Sequence, residues 1–465
     1  MKKYNALKIV GLTLAVFLLL TWILPAAVYQ TSYTEIGRSQ MGIFDIVSYQ
    51  GTVLGYFGYV ALFVLVVGGF YGVLYKIGAY RKLLDKLVAR FKNREAIFIS
   101  IVVILFAFLT SFCGVQLALI AFFPFIISLL LMMGFSKLAS VAATAGSVAI
   151  GLMGTTFAYS TVQVLNQYLG IELSNNIIVK IIILVLGIAL LILSILLLSK
   201  KATRKEEKDK NEFIPATVKG AKVKRVWPLI VTLDVIALII ILSFISWTGA
   251  FNVDIFTNAT NAVTEFELFG FPIFAKILGT FSAFGNWTLT EITTLLLIAI
   301  VALKFIYKIK WDDVISGFGT GLKKAIIPAV IALIIYTCLV LTTYNPFQLF
   351  IYNALLNMTK GFNVFTTSLV VVLSSLFNGD PLYAFYSVIP YFISVVTDSS
   401  VYGLVAVIFQ SIYGVVTLIA PTSIPLMITL AYLKVPYQNW FKYIWKLLLA
   451  LIVVLFIIFT ILLLI

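Results

Sequence analysis

The chain has 465 residues, of which 62% are hydrophobic and only 11% are charged. Soluble domains are about 45–50% apolar and about 25% charged, so this composition excludes a soluble globular protein and indicates a polytopic membrane protein. The net charge of +15 lies in clusters between apolar segments, and this placement argues against a nucleic-acid partner. Histidine is absent, so any proton coupling would depend on a carboxylate, water or the backbone.

The first half opens with two uninterrupted apolar runs, 7–29 and 51–74, each long enough to span a bilayer at about 20 residues per crossing. The basic segment 77–94 carries apolar residues at helical spacing, which predicts an amphipathic helix on the cytoplasmic interface. Three uncharged or nearly uncharged segments complete this half: 97–136, 138–171 and 177–199.

A strongly charged segment at 200–226 is predicted to be a cytoplasmic basic linker between a first transmembrane repeat at 1–199 and a second at 227–465. The second half contains three uninterrupted spans, a further segment whose only charged residue is Asp380, a further long apolar stretch and a last span: 228–247, 287–303, 325–343, 362–396, 401–433 and 443–465.

Basic residues cluster on the same side of alternating spans, and only Arg38, Lys180, Lys276 and Lys360 fall elsewhere. Cytoplasmic loops carry an excess of lysine and arginine, so this pattern predicts that the clusters face the cytoplasm. Nine crossings then place the N-terminus inside and the C-terminus outside the cytoplasmic membrane of a bacterium.

Two of the long stretches are interrupted near their middle by small and polar residues. The stretch 138–171 contains Gly-Leu-Met-Gly-Thr-Thr at 151–156, and the stretch 401–433 contains Ala-Pro-Thr-Ser at 420–423. Broken helices are tolerated at membrane depth only where the break is enclosed by protein or lines a cavity. Paired breaks in corresponding parts of two halves indicate the binding site of a secondary transporter.

Two further segments predict re-entrant hairpins. The segment 97–136 has a polar centre at 110–116, and its first arm, 97–109, is too short to cross about 30 Å of bilayer as a helix. Both of its ends lie beside cytoplasmic charges, so this hairpin would enter from inside. The segment 362–396, with Asn-Gly-Asp-Pro at 378–381, would enter from outside. Two packed full spans are the alternative in either place.

The order of a long span, a linker, a hairpin, a broken span and a last span occurs twice, first starting outside and then inside. We therefore expect an all-α polytopic membrane protein with two inverted repeats, each containing a re-entrant hairpin and a broken transmembrane helix.

The hairpin tips and breaks predict a binding site for a small molecule. Helix N-termini favour a carboxylate, and carbonyls freed at breaks are able to hold Na⁺. The predicted substrate-binding residues are those of the four polar clusters: Ser111, Gly114, Gln116, Gly154, Thr155, Thr156, Asn378, Gly379, Asp380, Pro421, Thr422 and Ser423. For the hydroxyl groups, plain packing inside the membrane is the alternative.

Asp380 is the most informative of these residues, because it lies in an otherwise uncharged run of more than thirty residues. Ionisable groups inside membrane segments are costly and therefore usually functional. Asp380 could bind a coupling cation, take up a proton or meet a substrate amine, and a simple helix-capping role is the alternative. Asp380, Thr156 and Thr422 are the predicted ion-coupling residues.

Several stretches resemble the YfcC-like C4-dicarboxylate anaerobic carrier family of the ion transporter superfamily, which includes the aminobenzoyl-glutamate and sodium/dicarboxylate transporters. They are LTWILPA at 20–26, MGIFDI at 41–46, GGFYGVL at 68–74, FGTG at 318–321, PTS at 421–423 and PYQNW at 436–440. The resemblance implies a scaffold and an elevator-type transport domain in a homodimer.

The expected function is secondary active transport of a small organic anion, either a carboxylate or dicarboxylate, or of an amino acid, coupled to Na⁺ or H⁺. The expected partners are this substrate and the lipid bilayer, with no cofactor and no metal beyond Na⁺. An enzyme is not expected, because no catalytic constellation is visible. The alternatives are a membrane-embedded binding or assembly component without transport, and a channel.

Overall fold

The computed structural model describes residues 4–199, 211–216, 225–359 and 361–464, and nearly all of these are helical. The two strands, β1 (Ala26–Tyr29) and β2 (Tyr33–Gly37), form an antiparallel hairpin after the first span. The predicted all-α polytopic fold is therefore confirmed.

The helices of the first half are α1 (Asn5–Ile23), α2 (Ile43–Leu74), α3 (Gly78–Arg90), α4 (Glu95–Phe108), α5 (Phe123–Met132), α6 (Lys137–Val141), α7 (Ser147–Met153), α8 (Tyr159–Leu169) and α9 (Ile177–Ser199). Three short irregular helical segments join some of them: a π turn at Leu109–Cys113, a 3₁₀ segment at Leu117–Phe122 and a π turn at Ala142–Gly146.

The helices of the second half are α10 (Trp227–Phe244), α11 (Trp247–Phe251), α12 (Ile255–Thr264), α13 (Ile273–Leu278), α14 (Leu289–Tyr307), α15 (Trp311–Tyr344), α16 (Gln348–Leu356), α17 (Val364–Phe377), α18 (Pro381–Tyr386), α19 (Ile389–Val395), α20 (Tyr402–Thr417), α21 (Ile424–Leu433) and α22 (Tyr437–Leu464). A short 3₁₀ segment, Ser399–Val401, precedes α20.

Within the described residues, 9 helices are long and apolar enough to cross a membrane. Seven of them correspond to the predicted uninterrupted spans, and the other two are Glu95–Cys113 and Ser399–Thr417. The prediction that the first arm of the first hairpin is too short to cross the bilayer is wrong, because the helical arm is longer than expected. The π turn continues α4 past the polar residues Thr110 and Ser111, so the arm has 19 residues instead of ending at Leu109.

The predicted order of elements is present in both halves. A long helix (α2 or α15) is followed by a short arm (α3 or α16), a hairpin, a broken pair of helices and a last helix (α9 or α22). The packing repeats as well, since α4 contacts α7 and α7 contacts α9, while α17 contacts α20 and α20 contacts α22. The first arms of the two broken pairs, α7 and α20, also pack against each other.

The two long helices α2 and α15 pack closely because glycines line their contact. A Cβ added at Gly68 would lie 2.8 Å from the carbonyl oxygen of Gly321, and one added at Gly72 would lie 2.8 Å from the backbone nitrogen of Gly321. Small residues allow helix backbones to approach in membranes, where hydrophobic burial does not drive association. This pair is the most extensive helix contact among the described residues.

The helices next to the breaks form the centre of the protein. Every residue of α7 is buried, and α20 is buried without interruption over residues 404–417. The breaks at 154–158 and 418–423 are therefore enclosed by protein, which is the condition under which irregular backbone is tolerated at membrane depth.

The predicted linker 200–226 lies outside the described residues except for 211–216 and 225–226. The described part is held by both halves. The Phe213 ring is buried, and its carbonyl accepts hydrogen bonds from Tyr75 at 3.2 Å and from Ser128 at 2.8 Å. Glu212 forms an ion pair with Lys434 at the end of α21. The division into domains at this linker stays a prediction.

Candidate substrate site between the hairpin tips and the helix breaks

The tip of the first hairpin is bonded directly to the first break. The carbonyl of Ser111 accepts the backbone N–H of Thr156 at 2.9 Å and that of Ala158 at 3.2 Å. The Ser111 hydroxyl donates to the carbonyl of Gly154 at 2.6 Å and lies 3.1 Å from the Thr156 hydroxyl. The bond to Gly154 pairs a carbonyl at the end of α7, where carbonyls lack helical partners, and the other bonds pair N–H groups of the break.

Two side-chain amides extend this connection. Gln116, just after the tip, donates to the hydroxyl of Thr161 on α8 at 2.7 Å. Gln410 on α20 donates to the carbonyl of Thr155 at 3.3 Å, so the first break is also tied to the second broken helix. The chain turns at Gly114, where φ is 76°, a conformation that glycine adopts without strain.

The second tip contacts the second break in the same manner. The Thr422 hydroxyl donates to the carbonyl of Leu376 at 3.0 Å, at the end of α17. A Cβ added at Gly379 would collide with the backbone of Thr422, so only glycine permits this approach of the tip to the break. Tyr413 on α20 donates to the carbonyl of Gly379 at 2.9 Å and fixes the tip from the other side.

Asn378 and Asp380 flank Gly379 and have different environments. The Asn378 side chain is buried and accepts a hydrogen bond from the Thr342 hydroxyl at 3.3 Å. Asp380 is half-buried and caps α18, because its carboxylate accepts the N–H of Leu382 at 2.9 Å. The capping role considered for Asp380 is therefore present, and it leaves the carboxylate at the edge of a cavity.

The carbonyls freed at the breaks are largely taken by side-chain donors. Those of Gly154 and Thr155 accept bonds from Ser111 and Gln410. At the second break, the carbonyl of Leu418 accepts the indole N–H of Trp440 at 2.8 Å, and that of Ile419 accepts the Tyr437 hydroxyl. These oxygens hold the breaks in shape in this conformation.

A small cavity of about 30 Å³ lies where the two hairpins and the two broken helices meet. This is room for one or two water molecules, so the surrounding elements must separate to admit a substrate. The cavity is lined by residues from both hairpins, both broken stretches and α15: Gln116, Leu117, Ala145, Val148, Ala149, Leu152, Tyr336, Gly379, Asp380, Pro381, Tyr413, Thr417, Ser423, Ile424 and Pro425.

Four of the predicted site residues line this cavity, namely Gln116, Gly379, Asp380 and Ser423. The other predicted residues do not line it: Ser111, Gly114, Gly154, Thr155, Thr156, Asn378, Pro421 and Thr422. Of these, Ser111, Gly154, Thr156 and Thr422 take part in the bonds that connect a tip to a break. Buried hydroxyls at 111, 155, 156 and 422 each bond to protein atoms, which is the packing alternative considered for them.

The sequence did not single out Tyr336 and Tyr413, which also line the cavity. Both are buried, and Tyr336 stacks on Phe57 with ring centroids 4.1 Å apart. The available signal was weak, because tyrosine is common in apolar spans of this chain. Only the position of Tyr413 inside the second broken stretch could have indicated its role.

A second, larger cleft begins beside the second hairpin tip. Its volume is about 680 Å³, and its lining includes Asn378, Tyr383, Tyr391 and residues of the β1 strand. The predicted orientation places this region on the outer side of the membrane. Asn378 lines the cleft and its neighbour Gly379 lines the small cavity, so the second tip separates the two spaces.

Sequence and structure comparisons show proteins to which this chain is similar. An uncharacterized protein of Haemophilus influenzae is 26% identical over 158 residues, which cover 34% of this chain and 31% of the relative. The match therefore spans less than a third of that protein's length. The crystal structure of the Alcanivorax borkumensis YdaH transporter, described as revealing an unusual topology, is 13% identical with a TM-score of 0.39, over 99% of this chain and 97% of that one.

The family model of the C4-dicarboxylate anaerobic carriers matches residues 5–464. The resemblance seen in the sequence is thereby confirmed at the level of the family, whereas the YfcC-like branch and the more distant relatives stay predictions. Because the match runs from the first span to the last, this chain belongs to the C4-dicarboxylate anaerobic carrier family.

Proposed function

We propose that the protein is a secondary active transporter that moves a small carboxylate-bearing metabolite, a C4-dicarboxylate or an amino acid, across the cytoplasmic membrane of a bacterium. The observation that carries this proposal is the convergence of the two hairpins and the two broken helices on one cavity. Membership in a carrier family supports the same function.

The arrangement suits alternating access. Substrate sites of repeat-built transporters lie at the interface between the repeats, formed by discontinuous helices. Here the cavity takes residues from both repeats, and the tip at Asn378 and Gly379 separates it from a cleft on the predicted outer side. In the proposed cycle, the hairpins and broken helices move as one elevator-type unit relative to a scaffold that includes α2 and α15, in a homodimer.

Coupling to Na⁺ or H⁺ belongs to the same proposal. Asp380 is the proposed cation-binding carboxylate, for a coupling ion or for a substrate amine, and Thr156 and Thr422 are proposed to link its occupancy to the positions of the breaks. Both threonines support this role by bonding a break to a hairpin tip, at Ser111 and Leu376 respectively. The N-terminus would lie inside and the C-terminus outside.

Counterflow in proteoliposomes tests the function. Vesicles preloaded with unlabelled succinate, malate, aspartate or alanine are diluted into the labelled compound, with and without Na⁺, at two pH values. A carrier gives saturable, transient accumulation for at least one compound. A channel would dissipate the gradient without counterflow, and a binding or assembly component would give no flux above empty vesicles. Either result would overturn the proposal.

The site is tested in the same vesicles with two matched variants. Asp380→Asn should reduce counterflow by at least about tenfold, because losing a charge-assisted bond costs about 1.5–3 kcal/mol. Asp398→Asn is the control, since Asp398 is also a cap that accepts the N–H of Ser400 at 3.0 Å, but it is exposed and does not line the cavity. Equal counterflow rates for the two variants would show that Asp380 does not take part in the substrate site.

A further inference from the structure

The charged residues that line the cavity do not suit a substrate with two negative charges. Asp380 is its only carboxylate, and no lysine or arginine is among its lining residues. Within the described part of the chain, Asp380 forms no ion pair. A second carboxylate placed here would meet a like charge with no protein cation to offset it, and like charges at short range disfavour each other's ionised form.

The surroundings of Asp380 favour a cation. Tyr336 and Tyr413 line the same cavity, and aromatic rings attract cations placed over their faces. The position of Tyr413 is fixed by its hydrogen bond to Gly379, the residue before Asp380, and that of Tyr336 by its stacking on Phe57. The cavity wall near the second tip therefore combines one carboxylate with two held tyrosine rings.

The start of α21 lines the same cavity and would attract an anion, whereas Asp380 would attract a cation. Ser423, Ile424 and Pro425 line it, and α21 has 10 residues. The first N–H groups of a helix have no helical acceptor and carry the positive end of its dipole, which favours an anion. Among the lining residues Ile424 supplies such an N–H group, whereas Pro425 has none and that of Ser423 donates to the Ala420 carbonyl. The Ser423 side chain makes no capping bond to these groups. The same cavity is thus lined by a carboxylate and by a helix N-terminus.

We propose that the transported compound is an α-amino acid, whose ammonium group binds Asp380 and whose carboxylate binds at Ser423 and the start of α21. This inference rests on the proposed transport function and names its substrate class. It differs from dicarboxylate transport in requiring a positive charge on the substrate itself.

An ammonium group fits Asp380 better than Na⁺ does in this geometry. Sodium sites in broken helices are built from freed backbone carbonyls. Here the carbonyls of Gly379, Gly154 and Thr155 each already accept one side-chain donor, and Gly154 and Thr155 do not line the cavity beside Asp380. An ammonium group brings three N–H donors and needs a carboxylate and aromatic or polar neighbours, which this cavity supplies.

The test compares substrates that differ only in the ammonium group. Proteoliposomes of the full chain are assayed by counterflow with alanine against lactate and aspartate against malate, in which a hydroxyl replaces the ammonium group, and with the other proteinogenic amino acids. An amino acid should exchange at least about tenfold faster than its hydroxy-acid analogue, because a site built to bind an N–H group rejects the analogue that lacks it.

Asp380→Asn should abolish this discrimination while the protein stays folded, because asparagine also caps helices. Its thermal melting and that of the control Asp398→Asn are measured in parallel.

Exchange of succinate or malate without exchange of any amino acid would overturn the proposed substrate class but would still support the transport function. Loss of Na⁺ dependence in Asp380→Asn, with unchanged amino-acid preference, would assign Asp380 to Na⁺ and also overturn the inference. No exchange of any compound would overturn the transport function as well.

Discussion

Ser111 and Thr156 are joined by three contacts: the N–H of Thr156 donates to the Ser111 carbonyl at 2.9 Å, the Thr156 hydroxyl donates to it at 3.1 Å, and the two hydroxyls lie 3.1 Å apart. The first residue belongs to a hairpin tip and the second to a helix break. Thr422 makes the equivalent connection in the second repeat by donating to Leu376. Each repeat therefore holds its own tip and break together as one unit.

Replacing Ser111 by alanine should weaken the first of these units. The change removes the donor to the Gly154 carbonyl in a fully buried place, and an unsatisfied buried polar group costs about 1–3 kcal/mol. The melting temperature of the purified protein in detergent should fall. Ser100→Ala on α4, which removes an exposed hydroxyl bond to the Ala96 carbonyl, should melt like the wild type. Equal shifts in the two variants would show that the connection contributes nothing.

Thr422→Ala should reduce transport through the second unit. Its hydroxyl donates the hydrogen bond that joins the second break to the carbonyl of Leu376. A hydrogen bond of this kind contributes about 1–1.5 kcal/mol. Its loss should slow transport by up to about tenfold, because the bond holds the tip and the break in the geometry that transport needs. The measurement is initial counterflow in proteoliposomes. Thr460→Ala on α22, where the exposed threonine bonds to Phe456, is the matched control and should transport normally.

The order of elements was predictable from the sequence, because apolar length and polar interruptions directly report where helices span and where they break. The length of the first hairpin arm was not, since a π turn keeps the chain helical through polar residues such as Thr110 and Ser111. A polar residue in an apolar run does not by itself reveal whether the helix ends.

The direction of each side chain was also beyond the sequence. The sequence placed Thr155 and Thr156 in the binding site. Their hydroxyls instead donate to the backbone carbonyls of Leu152 and Ser111, respectively. Tyr336 reaches the cavity from a long helix with no interruption near it, so only the tertiary packing of α15 brings it there. Polar clusters located the site, and packing decided which residues line it.

Gly379→Ala should abolish transport or destabilise the protein strongly. A methyl group at this position would collide with the backbone of Thr422, which is not able to move aside as a flexible side chain would. The tip would then be pushed away from the break, and the Tyr413 bond to the Gly379 carbonyl would be lost with it. Counterflow and melting temperature are measured together.

The control for this change is Gly319→Ala on α15. No atom lies within 4 Å of a Cβ built at Gly319, so its alanine variant should fold and transport like the wild type. If Gly379→Ala behaved like this control, the close contact between the second tip and the second break would not be needed for function.

The ion pair between Glu212 and Lys434 should make the docking of residues 211–216 depend on pH. Burial by itself would raise the pKa of Glu212, but the hydrogen bond and charge of Lys434, together with the charges of Lys324 and Lys137, outweigh it and lower that pKa. A lowered carboxyl pKa contributes stability above the unfolded value of about 4.3, and this contribution is lost as the pH falls through the folded value.

Glu212→Gln should therefore lower the melting temperature at pH 7, and this difference should shrink once the pH falls below the lowered folded pKa, where the wild-type carboxylate is also protonated. Because both side chains are partly exposed, the effect should not exceed about 1 kcal/mol. Glu267→Gln, at an exposed glutamate, is the control and should match the wild type at both pH values. A difference from the wild type that stays constant from pH 7 down to pH values below the lowered folded pKa would mean that Glu212 acts through packing, since only its charge is removed by protonation.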